Sequence, residues 1–347
     1  MEQPAGWEVD DKPKEEFVWE LQKSMYGLPN APHCAQKKLK ATMLKGEHFR
    51  KTDSDDCIYV KTKKTVGTAM FGAHVDDLAS VGDAAGLAQI AKQLGSEFQF
   101  TTSKNPLIIT GVELVRDWKN KRAKLHQATY VGKLLEEQGM LECDAVDTPM
   151  DPGTAKAMML LPTEVVDVKV LKQYQSLVGG LMWLLKTRPD MMFTINLLSR
   201  FLRDATPAHL KLARGRPLRY LKGTMTHGLV FEPGSGEWKL RASGDADFGG
   251  DLKGGKTTTG HAAMVGKYGA LTCKSKLERK ICSSTGHSET YAAVAICKEV
   301  VWLRGLMAEL GYSQAEPTVV ASDNAGVVSQ STKVINHTAA KHYRIAH

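Results

Sequence analysis

The chain has no Cys-x-x-Cys pair, although it carries six cysteines, at positions 34, 57, 143, 273, 282 and 297. None stands with histidine at zinc spacing, so a zinc ribbon, a thioredoxin-like centre and a disulfide-dense secreted scaffold all lack their framework. A reducing intracellular setting, cytoplasmic or nuclear rather than secreted, is the expectation. Long apolar runs are missing too. The largest patches, "AMMLLP" and "LVGGLMWLL", fall short of the ~18 residues that a membrane span needs, so no membrane partner is expected. The opening "MEQPAGWEVDDKPKEE" lacks the basic-then-apolar order of a signal peptide. There is no internal repeat and no low-complexity tract, which excludes solenoids and biased linkers.

What is present is ordinary for a folded protein of several domains. The 347 residues are 42% hydrophobic and 24% charged, enough for two or three real cores. The net charge of +8 favours polyanions such as nucleic acid. The cations are spread out, in "KNKRAK", "ARGRPLRYLKG" and "KSKLERK", so plain solubility is the competing explanation.

Patterning divides the chain at about residues 150 and 235. Residues 1–150 mix strands with amphipathic helices: Leu39 and Met43 share one helical face, as do Leu87, Ile90, Ala91 and Leu94. Residues 151–235 open with the proline-rich, Asp-rich connector "DTPMDPGTAKAMMLLPTEVVDV" and then read as mostly helical. Within "KLARGRPLRYLKG", Gly215 and Pro217 stand inside an expected helix, where a proline costs about 3 kcal/mol. Residues 236–347 read as short strands, a long helix with Ser288 as N-cap and Gly311 past its end, a strand and a short helix. That order predicts a mixed sheet with packed helices, in a chain of α/β and α+β character.

Two groups of acids carry possible chemistry. In "TAMFGAHVDDLASV", Asp76 and Asp77 stand side by side at the tip of a strand–turn–strand, where two like charges make sense around a cation. Further on, Asp245 closes a strand, Glu289 lies in the first turn of the long helix, and Asp323 closes the next strand. If those strands are parallel, all three meet at one sheet edge, the usual place for ligands. Three carboxylates there repel unless divalent cations intervene, and hard oxygen ligands suit Mg2+ or Mn2+. Two such ions can activate water for phosphodiester cleavage. The plainer alternative makes Asp245 and Asp323 turn formers and Glu289 a helix-dipole residue.

The ordered motifs "SMYGLPNAP", "HVDDL", "TPMDPG", "YQSLVGGLMWLLKTRPDM", "NLLSRF", "LRYLKGT", "GDADFGGDLKGGKTTTG" and "SSTGHSETYAA" resemble the reverse transcriptase–ribonuclease H segment of copia-type retrotransposon Pol polyproteins. The likeness runs along nearly the whole chain. It implies a partial reverse-transcriptase palm and thumb over residues 1–150, a helical connector over 151–235 and a ribonuclease H-like domain over 236–347. Asp76 and Asp77 match the two metal-binding aspartates of the family's YVDD hairpin, with His74 in the place of tyrosine. Asp245, Glu289 and Asp323 match three of the four metal-binding acids of the family's ribonuclease H.

Some positions depart from the family. His33 and Ala35 replace an arginine and a tryptophan. The third polymerase aspartate belongs upstream of the segment resembling "MEQPAGW", so loss of DNA synthesis is the expectation. The fourth ribonuclease H acid is expected in the segment that here reads "KHYRIAH", where Arg344 takes its place. The resemblance implies metal-dependent cleavage of RNA in RNA–DNA hybrids as the retained activity. The alternatives are a non-catalytic nucleic-acid-binding remnant and an inert one.

Overall fold

The computed structural model describes residues 20–332, apart from residues 23, 26, 47, 62–66, 76, 163–166 and 233–237. The chain forms two compact units, Met1–Thr102 and Ser103–His347. It is a mixed α/β protein with several sheets, which agrees with the α/β and α+β character expected from its patterning. No helix among the described residues is long and apolar enough to cross a membrane.

In the first unit, α1 (Ala31–Leu44) leads into an antiparallel sheet ordered β1 (Phe49–Lys51), β2 (Ile58–Lys61), β3 (Ala69–His74), β4 (Asp77–Gly82), followed by α2 (Ala84–Gly95). Met43, Phe49, Tyr59, Phe71, Ile90 and Leu94 make its core. Asp83 caps α2 by accepting the Gly86 N–H at 2.8 Å, and it also accepts the Thr68 N–H at 2.6 Å. One carboxylate therefore starts the helix and ties it to the base of the β3–β4 hairpin.

The second unit begins with an antiparallel sheet of β5 (Ile108–Ile109), β6 (Val112–Asp117), β7 (Arg122–His126) and, from much later in the chain, β8 (Gly228–Phe231). Between β7 and β8 run α3 (Ala128–Glu137), α4 (Pro152–Leu160), α5 (Val168–Trp183), α6 (Met192–Ser199), α7 (Pro207–Arg214) and α8 (Arg216–Gly223). These helices share one core in which Leu135, Met158, Val178, Leu181, Leu198 and Leu221 are fully buried. Each such side chain contributes about 1.5–3 kcal/mol by leaving water. Arg188, 1% exposed, is held in that layer by three bonds to Asp190, at 3.0, 3.2 and 2.7 Å, and two to Thr224. The stretch expected to be a connector thus contains a helix, α4, whose N-cap Asp151 accepts the Thr154 N–H at 3.0 Å.

The proline expected to break a helix does not do so. The chain ends α7 at Arg214, turns at Gly215 (φ −70°, ψ −104°) and starts α8 at Arg216. Pro217 falls in the first turn of α8, where its missing N–H has no partner to lose.

The last part carries β9 (Leu240–Asp247), β10 (Thr258–Val265), β11 (Gly269–Leu277), α9 (Thr285–Glu309), β12 (Val319–Ala321) and α10 (Ala325–Thr332). Its sheet order is β11-β10-β9-β12, antiparallel except for the parallel β9–β12 pair. Ala292, Ile296, Val300, Leu303 and Met307 lie at helical spacing along α9 and are buried, most of them in one core with Leu240, Ala242, Ala263 and Val265. Asn196 of α6 donates to the Ser275 carbonyl at 2.9 Å, and Arg200 donates to Thr258 Oγ1 at 3.0 Å, which ties the helical layer to this sheet.

Candidate metal centre

Three elements deliver the acids. Strand β9 alternates inward Leu240, Ala242 and Ala246 with outward residues, and Asp245 lies two residues before its end. The parallel strand β12 pairs Ala321 with Ser243. Carried two residues further, that register brings Asp323 level with Asp245. Helix α9 supplies Glu289 and can approach because residue 244 is glycine. A Cβ there would stand 3.2 Å from Ile296 Cγ2 and 3.3 Å from the Ala292 carbonyl oxygen.

The start of α9 differs from the sequence expectation. Its N-cap is Ser284, which accepts the His287 N–H at 3.2 Å, and the helix begins at Thr285. Ser288 lies inside the helix and donates to the Thr285 carbonyl at 2.7 Å. Glu289 is therefore in the second turn, so proximity to the helix N-terminus explains little of its placement. The hydroxyl-rich stretch "SSTGHSE" offers several caps, and propensity alone does not choose among them.

One carboxylate oxygen from each of Asp245, Glu289 and Asp323 lies within 4.8 Å of the others. Glu289 is buried, at 6% exposure, while Asp245 and Asp323 are exposed. Asp245 Oδ1 accepts the Ala246 N–H at 2.8 Å. Glu289 Oε2 is buried with no hydrogen-bond partner. Burial pushes the Glu289 carboxyl up, the charges of Asp245 and Asp323 push it further, and the Ala246 N–H offsets part of this. Two carboxylates about 5 Å apart repel by about 3 kcal/mol at an effective dielectric near 20, before solvent screening. An orphaned oxygen and two like charges all disfavour the ionised form of Glu289. Among the described residues, only the Ala246 N–H works against this. The donor set is entirely carboxylate oxygen, which fits a hard divalent cation.

Next to Glu289, His287 Nδ1 accepts the Ser283 N–H at 3.2 Å, and its ring lies 5.0 Å from that of Tyr291. Asp77 begins β4, pairs with His74 across the hairpin and is exposed. Asp76 and Arg344 lie outside the described residues. Two contributors were not legible as site residues: Gly244, whose missing side chain admits α9, and Ala246, whose N–H faces the acids. Neither carries a chemical signature in sequence.

A family model described as reverse transcriptase (RNA-dependent DNA polymerase) matches residues 1–152. The Retrovirus-related Pol polyprotein from transposon TNT 1-94 of Nicotiana tabacum is 32% identical over 99% of this chain and 26% of its own length. That from transposon RE1 of Arabidopsis thaliana is 29% identical over 99% of this chain and 23% of its own length. The putative transposon Ty5-1 protein of Saccharomyces cerevisiae is 30% identical over 68% of this chain and 74% of its own length. The chain belongs to the Pol family of copia-type retrotransposons. This bears out the resemblance carried by its motifs. The copia-type Pol segment spans about a quarter of the length of the tobacco and Arabidopsis polyproteins it matches. Asp76 and Asp77 fall inside the stretch matched as reverse transcriptase, and the three converging acids fall beyond it.

Proposed function

We propose that residues 236–347 act as a ribonuclease H-like domain that hydrolyses the RNA strand of RNA–DNA hybrids, with a divalent ion, Mg2+ or Mn2+, on Asp245, Glu289 and Asp323. In this reading residues 1–150 derive from a reverse-transcriptase palm and thumb, and residues 151–235 are the helical connection. Asp76 and Asp77 descend from the polymerase metal pair, and the turnover belongs to the later trio. One observation carries the proposal: three carboxylates from distant elements meet at the edge where β9 and β12 end, around a buried glutamate oxygen with no partner.

A bound divalent ion would supply an activated water and shield the charge of the scissile phosphodiester. The protein's own residues do the rest. Glu289 serves as a ligand only when ionised, so its raised pKa extends the competition between proton and ion to higher pH than an ordinary carboxylate would. The Ala246 N–H holds Asp245 in place. The hybrid would be gripped by its backbone and A-like shape rather than by base sequence.

A second reading, nucleic-acid binding without turnover, is favoured by Arg344 in the place of the fourth acid and by the +8 net charge. The test uses the full chain with a labelled RNA–DNA hybrid and Mg2+, beside Asp323→Asn and Arg344→Asp. Cleavage by the parent that Asp323→Asn abolishes supports the ribonuclease. Cleavage seen only with Arg344→Asp means a site disabled at that position. If none of the three cleaves, and parent and Asp323→Asn bind Mn2+ equally, the catalytic reading fails. The binding reading then requires affinity for the hybrid to fall steeply with salt.

A further inference from the structure

Away from the acid edge, two turns of the second unit present exposed aromatic rings among cations. At the tip of the β6–β7 hairpin Trp118 is 73% exposed. The stretch from Arg116 to Arg122, "RDWKNKR", holds four cations and one acid. That acid, Asp117, is used within the turn, where it accepts the Asn120 N–H at 3.0 Å and Asn120 Nδ2 at 2.6 Å. Arg116 donates to the Pro106 carbonyl at 2.8 Å and stands 6.0 Å from the centroid of the Trp118 ring. At the β10–β11 turn Tyr268 is 53% exposed, with the Lys267 ammonium 4.9 Å from its ring centroid.

The two turns belong to one surface. Strand β7 pairs with β8, and Phe231 of β8 packs so closely on Gly269 of β11 that a Cβ there would stand 2.5 Å from the ring. Arg122 and Lys267 are near enough for the arginine to repel the ammonium. The acids are elsewhere. Asp245 is level with Gly260, and β10 runs on to Val265 before the turn, about 17 Å at ~3.4 Å per residue.

Lys267 has Glu232 Oε1 at 3.8 Å, but Lys119, Lys121 and Arg122 outnumber the one acid of their turn, and such an excess of cations favours a polyanion. Two exposed rings held on hairpin turns select one whose bases are free to stack, which a duplex does not offer and an acidic protein lacks. We infer that this surface binds single-stranded nucleic acid, with bases stacked on Trp118 and Tyr268 and phosphates neutralised by Lys119, Lys121, Arg122 and Lys267. The ligand is nucleic acid, as in the proposed function, but single-stranded rather than a hybrid duplex, and the hydrolytic site is not needed for it.

The test titrates the full chain with a twelve-residue oligo(dT), followed by fluorescence anisotropy, with oligo(U) as the RNA arm and poly-glutamate as the competitor. Trp118→Ala is expected to weaken oligonucleotide binding about 5- to 150-fold, and Trp118→Phe to restore most of it. Arg122→Gln and Lys267→Gln should each lower the slope of log affinity against log salt by about 1. The inference is overturned if Trp118→Ala binds as the parent does, or if poly-glutamate displaces the oligonucleotide at equal charge concentration. Asp323→Asn should leave oligonucleotide binding intact. A parent that binds through Trp118 but cleaves no hybrid would sink the ribonuclease and keep this surface.

Discussion

The acids of the first unit and those of the last region are set into the chain in opposite ways. Asp76 and Asp77 are neighbours in sequence, and Asp77 opens β4, a strand exposed along all its residues. Asp245, Glu289 and Asp323 come from a strand, a helix and the bend just past a second strand, and only the packing of α9 on β9 and the parallel β9–β12 pair brings them together. The hairpin shows its chemistry as a string of letters; its first strand packs Ala69 and Phe71 into the core, and its second strand is exposed. The trio is scattered in the letters and rests on a hydrophobic core. The hairpin tip is also strained, because Val75, a β-branched residue, has φ +53°.

The largest expected difference tests that support. Ile296→Ala removes a fully buried side chain beneath α9 and should cost about 2–5 kcal/mol, read by chemical denaturation, with Mn2+ affinity falling in step. If affinity is unchanged while stability falls, the packing of α9 does not set the trio. Gly244→Ala comes next. Its methyl must push Ile296 and the Ala292 backbone away, at about 1–3 kcal/mol. Loss of Mn2+ binding beyond the loss of stability would show that this close approach sets the carboxylate spacing.

Glu289→Gln sharpens the contrast through its sign. Glu289 holds a proton more tightly folded than unfolded. Its contribution to stability is therefore complete below the ordinary carboxylate pKa and is lost as pH rises through the raised value. Without added metal, Glu289→Gln should raise the thermal midpoint at neutral pH, with the gain vanishing in acid. With saturating Mn2+ the order should reverse, because only the parent is stabilised by the ion. A variant less stable than the metal-free parent at neutral pH would contradict the raised pKa. The smallest effect belongs to the hairpin. Val75→Asn, which tolerates positive φ, should stabilise the first unit by about 1 kcal/mol. A loss of stability would mean that Val75 makes contacts outweighing its strain.

Much of this architecture was legible. The amphipathic spacing of Leu87, Ile90 and Leu94 and the return strand after Asp77 appear as α2 and β4. The order of strands, helix and strand after residue 236 appears as the β9–β12 sheet with α9. The misreadings have local causes. Ser284 and Ser288 are equally good caps by type, and the choice fell to the hydrogen bond that Ser284 completes with the His287 N–H. Pro217 looked like a helix breaker because nothing in sequence marks Gly215 as the end of one helix and the start of another. The helix α4 hid in a stretch whose prolines and aspartates also suit a linker, yet Asp151 caps it and Pro152 begins it.

By itself the sequence determined the family, the identity of the five acids, the basic balance and the periodicities of the main elements, because these depend on residue types and short spacings. Tertiary structure decided which acids lie together, that Glu289 is buried with an unpaired oxygen, and that the β6–β7 and β10–β11 turns are neighbours. Those properties depend on the register of β9 with β12, the close approach at Gly244 and the pairing of β7 with β8. They are long-range contacts, and no local window of the chain contains both partners.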